Sequence, residues 1–195
     1  MDSSTPADVV LVLNAGSSSL KFAMYASAGA LAWQAVARCQ IEGIGTTPRM
    51  SAKAADGSLL PVPALASSVV DGRAALAFLV AWMNEAFAGA RIVGVGHRVV
   101  HGGPGHSRPV VVTPAILDEL RKLEPLAPLH QPYNLGAIDA VAQRLPGVPQ
   151  VACFDTSFHR GQPAVAELVP LPAELRKGGL QRYGFHGLWY EYIAS

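Results

Sequence analysis

Apolar and polar positions alternate most regularly near the start of the chain. Val9 to Leu13 is an apolar run that breaks into a small, hydroxyl-rich bend. It resumes with Leu20, Phe22 and Met24 set against Lys21, Ala23 and Tyr25. A period of two predicts two strands joined by that bend. Ala30 to Ile44 reads as further strand, and Arg49 to Val62, centred on Asp56-Gly57, as a second hairpin. The period then changes. Leu76, Leu79, Val80, Met83 and Phe87 recur at helical spacing within Asp71 to Ala88, with Gly89 closing the segment and Trp82 and Met83 facing the core. Arg91 to His101 is a strand ending at Gly102-Gly103. Thr113-Pro114 supplies an N-cap and a first-turn proline ahead of Ile116, Leu117, Leu120 and Leu123. After a proline-punctuated loop from Pro125 to Pro132, Asn134 is placed to cap a helix carrying Leu135, Ile138, Val141 and Leu145. Pro146-Gly147 stops that helix before a strand from Val148 to Phe154. Hairpins followed by helix-linked strands predict an α/β sheet, whose ligands gather at the carboxyl ends of the strands.

Composition narrows the partners. Half of the 195 residues are apolar, so a sizeable core is expected, while charged residues make up 15% and the net charge is +1. Without a basic footprint, nucleic acid and anionic membrane surfaces are not expected partners, which leaves a small molecule. The opening MDSSTPAD carries no basic region, and Val9 to Leu13 is too short for a signal core or a membrane span, so a cytoplasmic location is expected. Cys39 and Cys153 match no metal or redox spacing and read as buried free thiols. The chain contains no internal repeat.

The candidate chemistry lies at strand ends. Around the first bend, backbone N–H groups, Ser17, Ser18, Ser19 and the Lys21 ammonium form a phosphate-handling arrangement, without the glycine spacing of a P-loop or a dinucleotide fingerprint. The alternative is an ordinary hairpin whose serines satisfy turn backbone. Arg98, inside an apolar strand, needs an anion: a ligand carboxylate or phosphate, or one of the protein's own acids. His97 and His101 share the HRVVH spacing of a zinc pair, but on a strand four residues span about 13 Å, too far for one ion with bonds of about 2 Å. Both are expected to be hydrogen-bonded or packed instead. Asp155 stands at a strand tip, in a position suited to Mg²⁺ or to a turn cap. His130 and His186 sit in loops from which an imidazole could donate to a phosphoryl oxygen. A hydrolase triad of Ser18, His130 and Asp155 lacks a G-x-S-x-G elbow and ranks low.

The segments NAGSSSLKF (14–22), GHRVVHGG (96–103), LAPLHQPYN (126–134), FDTSFH (154–159) and RYGFHG (182–187) together resemble the acetate kinase family of carboxylate kinases, in family order. The resemblance implies a fold of the sugar kinase, Hsp70 and actin superfamily. A ribonuclease-H-like (actin-like ATPase) domain with a mixed sheet and flanking helices would occupy residues 1–155, and the start of a second such domain residues 156–195. It implies reversible phosphoryl transfer from ATP to acetate with Mg²⁺ or Mn²⁺, with propionate or another short-chain acid as the alternative substrate. It makes Asn14 part of the metal site and Ser17, Ser18, Ser19 and Lys21 part of the phosphate turn. Arg98 would hold the acetate carboxylate or the transferring phosphoryl; Val100, Leu129 and Phe185 would form the pocket for the methyl group. His130 and His186 would be hydrogen-bond donors, and Asp155 the magnesium-side carboxylate. The chemistry is consistent with this, since a carboxylic acid is already ionised at neutral pH and needs charge neutralisation more than a base.

Two features depart from the family pattern. Leu188, Trp189 and Tyr190 stand where the motif continues Thr-Ser-His, which removes hydroxyls and an imidazole that support the loop of His186. The chain also ends at Ser195, so the adenosine pocket, a further arginine and histidine, a metal-ligating glutamate and a C-terminal helix that the resemblance implies are not within it. Little turnover is therefore expected from these residues alone, with a noncatalytic phosphate- or partner-binding remnant as the alternative; a family-like homodimer is expected only of a full-length chain.

Overall fold

The computed structural model describes residues 8–29, 32–65, 69–167, 171–172, 174 and 181–195. The described strands are β1 (Asp8–Ala15), β2 (Ser19–Ser27), β3 (Trp33–Glu42), β4 (Arg49–Ala54), β5 (Arg91–Val99), β6 (Val110–Val111) and β7 (Gln150–Phe154). They form one mixed sheet in the order β4-β3-β2-β1-β5-β7-β6. β1 to β4 pair antiparallel in sequence order, whereas β5 runs parallel to both β1 and β7. This is the mixed sheet with flanking helices that the sequence implied. The helices are α1 (Gly72–Ala86), α2 (Pro114–Arg121), α3 (Gln131–Arg144), the short α4 (Ala164–Glu167) and α5 (Gly187–Ala194). No described helix is long and apolar enough to cross a membrane.

The period-two pattern decides which face of the sheet is covered. Val9, Leu11 and Leu13 of β1 and Leu20, Phe22 and Met24 of β2 are buried in one cluster with Leu76, Leu79, Trp82 and Met83 of α1 and Val141 of α3. Each such aliphatic side chain contributes about 2 kcal/mol on burial. The Trp82 indole N–H donates to the Pro61 carbonyl at 3.0 Å, so its polar atom is satisfied within the core. A second cluster, with Val99, Leu135, Ile138, Ala152 and Phe154, lies at the carboxyl ends of β5 and β7. On the opposite face, Val12 is 45% exposed beside Lys21 and Arg38.

The helix signals are realised locally. Asp71 caps α1, accepting from the Ala74 N–H at 2.8 Å, and Thr113 caps α2 ahead of its first-turn proline. The turn at Asp56-Gly57 is formed as read: Lys53 bridges Leu59 antiparallel, with the Ala54 N–H donating to the Ser58 carbonyl at 2.9 Å and the Leu60 N–H to the Ala52 carbonyl at 3.0 Å, while the other edge of Arg49–Ala54 pairs with β3. Ala52 points into the core beside Cys39 of β3. Two expectations need correction. The strand read as Ala30 to Ile44 spans Trp33–Glu42, and residues 30 and 31 lie outside the described residues. Asn134 does not cap α3. The helix begins at Gln131, with Pro132 in a first turn that needs no N–H from it, and Asn134 is buried inside that turn. Both cysteines are free; Cys39 is buried and Cys153 only half-buried.

Candidate active site

Because β1, β5 and β7 are mutually parallel, their carboxyl ends share one edge, and each delivers a polar residue there: Asn14, Arg98 and Asp155. The Arg98 guanidinium binds Asp155 through Nε, at 3.0 Å to Oδ1, and through Nη2, at 2.5 Å to Oδ2. Its Nη1 donates to Asn14 Oδ1 at 3.2 Å. The anion that Arg98 requires is thus, in this structure, the protein's own Asp155. The Arg98 side chain is 37% exposed and that of Asp155 only 2%, so the carboxylate is sealed while the guanidinium faces outward. Hydrogen bonding to Asp155 raises the guanidinium pKa against the opposing effect of burial, keeping Arg98 charged. Of its five N–H groups, those spent on Asp155 and Asn14 leave one further N–H on each terminal nitrogen for a ligand.

These groups border a cleft of about 520 Å³. One wall is the first bend, Asn14 to Gly16; another is Val100, Leu126 and Ala127; His130, Phe185 and His186 complete the mouth. A contiguous hollow of about 610 Å³ on the far side of Arg98 and Asp155 is lined by His186, Leu188, Trp189, Tyr190 and Tyr192. The bend read from the sequence therefore lies against Arg98, joined to it by Asn14.

The structure does not bring every candidate into the cleft. Leu129 is 74% exposed and outside it; Leu126 and Ala127, ahead of it in the same loop, form the apolar wall. Ser17 and Ser18 are exposed at the bend, and Ser19 borders a separate cavity of about 150 Å³ beside Tyr133. Lys21 lies opposite Asn14 in the β1–β2 pair and points onto the open sheet face, in a hollow of about 430 Å³ with Arg38 and Lys53. As cross-strand partners Asn14 and Lys21 project from the same face, so the hollow that holds Lys21 adjoins the cleft through Asn14, which lines both.

His97 and His101 are packed, as their spacing on a strand implied. His97 is 2% exposed with Nε2 2.7 Å from Gln150 Oε1, and burial lowers its pKa to about 4. His101 Nδ1 accepts from the Gly103 N–H at 2.8 Å, and its ring meets Tyr183 edge-on at 4.4 Å. His186 has a left-handed backbone, φ 58°, the one positive φ among described non-glycine residues. Sequence reasoning missed what holds it. His159 Nε2 lies 2.9 Å from the Phe185 carbonyl, which accepts only, so the imidazole carries its proton there. The Gly187 N–H donates to the Asp155 carbonyl at 2.7 Å, and Tyr190 packs edge-on against His159. Tyr190, the departure from the motif, thus braces the loop by aromatic contact. The place of His159 in FDTSFH, one of the segments that carry the family resemblance, was the available signal.

Among the described residues no group of three His, Cys, Asp or Glu could hold a metal alone. Asp155 and Asn14 offer hard oxygen donors of the kind Mg²⁺ takes, and in this structure those oxygens face the Arg98 guanidinium.

The family model described as the Acetokinase family matches residues 9–195. Curated acetate kinases from Rhodopseudomonas palustris and Rhizobium meliloti are each 47% identical over 189 residues. Each alignment covers 96% of this chain, with 47% and 48% of the relative. A Porphyromonas gingivalis acetate kinase structure superposes with a TM-score of 0.79 at 32% identity, covering 93% of this chain and 46% of that one. A propionate kinase structure from Francisella tularensis gives 0.79 at 32% identity, covering 95% and 47%. The chain spans about half the length of the curated relatives it matches.

Proposed function

Since this chain belongs to the Acetokinase family, we propose that its cleft takes part in reversible phosphoryl transfer from ATP to a short-chain carboxylate, acetate or propionate. The observation that supports the reading most is the polar triad at the strand tips: Arg98 clamped by Asp155 and Asn14 with N–H groups left over, next to an apolar wall. Val100, Leu126, Ala127 and Phe185 would receive the aliphatic end of the acid, and Arg98 its carboxylate or the phosphoryl group passing to it. The two reactants are both anionic, so bringing them together in line requires fixed positive charge and donors. Arg98 supplies the charge without proton exchange, and His130 and His186 stand at the mouth as donors to the equatorial oxygens. Asp155 and Asn14 would hold Mg²⁺ or Mn²⁺ together with the nucleotide phosphates. That ion, when bound, would neutralise the charge developing between the β- and γ-phosphoryl oxygens.

In this reading residues 1–155 form the first domain, residues 156–195 begin the second, and the whole protein carries out the cycle in the cytoplasm. The 195-residue chain by itself is expected to bind anions and to turn over little, because one wall of a cleft does not exclude water from phosphoryl transfer. Calorimetric titration with acetate, ATP and Mg²⁺, alongside hydroxamate trapping of acetyl phosphate, tests the proposal. Saturable binding abolished by Arg98→Ala is the expected result. Absence of binding to any of the three ligands would leave a noncatalytic remnant as the better reading.

A further inference from the structure

The first turn of α3 enters the gap where two strands part. β1 and β5 pair as far as Leu13 and His97, and the chain beyond each of those residues forms the cleft. Past that last pair, the Ala15 carbonyl and the Val100 N–H have no partner on the adjoining strand. Asn134, 6% exposed, occupies the space between them: its Oδ1 accepts from the Val100 N–H at 2.9 Å and its Nδ2 donates to the Ala15 carbonyl at 2.6 Å. One turn earlier on the same helix face, the fully buried Gln131 binds both backbone groups of His101. It accepts from the N–H at 3.2 Å and donates to the carbonyl at 3.0 Å.

Buried backbone polar groups require partners, and here side-chain amides replace the strand ladder where it stops. Each end of the Asn134 bridge is next to a group the proposed reaction uses. Ala15 lies between Asn14 and Gly16 of the bend; Val100 is a wall residue two positions after Arg98. A primary amide presents one acceptor and one donor side by side, and neither an ionised carboxylate nor an aliphatic side chain reproduces both bonds. We propose that Asn134, backed by Gln131, is a positioning residue that fixes the separation between the anion-binding bend and the Arg98–Val100 strand end. The identity of the anion rests on the proposed function; the brace itself does not.

The test uses the 195-residue chain with Asn134→Leu and Asn134→Asp. NMR follows backbone amide exchange at Val100 and Leu11, exchange of the Arg98 Nε–H, and titration with inorganic phosphate read at the Gly16 amide. Asn134→Leu is expected to speed exchange at Val100 and at the Arg98 Nε–H at least tenfold and to weaken phosphate at least tenfold, with Leu11 unchanged. Asn134→Asp keeps the acceptor for Val100 but puts an oxygen against the Ala15 carbonyl. It should therefore preserve Val100 protection while still speeding Arg98 Nε–H exchange and weakening phosphate; this variant decides the matter if the leucine variant does not fold. Wild-type Arg98 exchange and phosphate affinity in a folded variant would overturn the proposal. If the wild-type chain shows no phosphate response, the proposed function fails, and Arg98 exchange alone decides for or against the brace.

Discussion

Burial of His97 should make this fold acid-sensitive in a defined window. The imidazole is 2% exposed and bonded to Gln150, and burial lowers its pKa from 6.5 to about 4. Above pH 6.5 both the folded and the unfolded chain keep it neutral, and the full stability is present. As the pH falls, the unfolded chain takes up a proton that the folded chain refuses, so stability is lost progressively down to about pH 4. A span of about 2.5 pH units at about 1.4 kcal/mol each amounts to roughly 3 kcal/mol, of which about 2 kcal/mol is gone at pH 5. His101, its pKa also lowered by burial, acts in the same direction. Urea unfolding of wild type and His97→Leu between pH 7.5 and 4.5 isolates the effect. The variant is less stable at neutral pH, because Gln150 loses its donor, but it lacks the proton site. Its deficit relative to wild type should shrink by about 2 kcal/mol on going to pH 5. Parallel stability curves for the two proteins would refute the reasoning.

The Arg98–Asp155 pair should respond unequally to truncation. Arg98→Ala strands a carboxylate that is 2% exposed and should cost about 3 kcal/mol or more, whereas Asp155→Ala leaves a guanidinium that is 37% exposed and should cost clearly less; thermal denaturation of both variants checks the order, and equal losses would contradict it. Gly187→Ala would drive a methyl group into the Asp155 carbonyl and Phe158. It should displace His186, read as loss of the His159 Nε2–H signal in imidazole NMR, and a native spectrum would count against that packing.

Much of the architecture was legible because it depends on local periodicity. The alternation of Leu20, Phe22 and Met24 fixed the covered face of the sheet, and Thr113-Pro114 marked the start of a helix within a residue. Arg98 was legible for a different reason: a guanidinium in an apolar strand has to meet an anion, and it does. The failures share a cause. Asn134 looks like a cap because capping is the commonest local use of asparagine, yet its partners are Ala15 and Val100, a relation no window of sequence contains. Leu129 and Leu126 are equally apolar members of one loop, and only the three-dimensional turn around Glu124–Leu126 selects which faces the cleft. Lys21 was grouped with the serines by proximity in sequence, while the strand register sets it opposite Asn14 on the open sheet face, in a hollow shared with Arg38 and Lys53 rather than with the bend serines. His159 earned no role from the sequence because its partner, the Phe185 carbonyl, is backbone.

The strand tips carry every formal charge of the triad, whereas Leu126 and Ala127 belong to a connecting turn outside the sheet. Under the proposed function, chemistry and part of the size selection would thereby fall to parts of the polypeptide that tolerate change very differently. Substitutions in that turn would resize the space for an aliphatic tail while the charged groups stay anchored in the sheet, so descendants of such a scaffold could diversify in chain-length preference without rebuilding the strand tips.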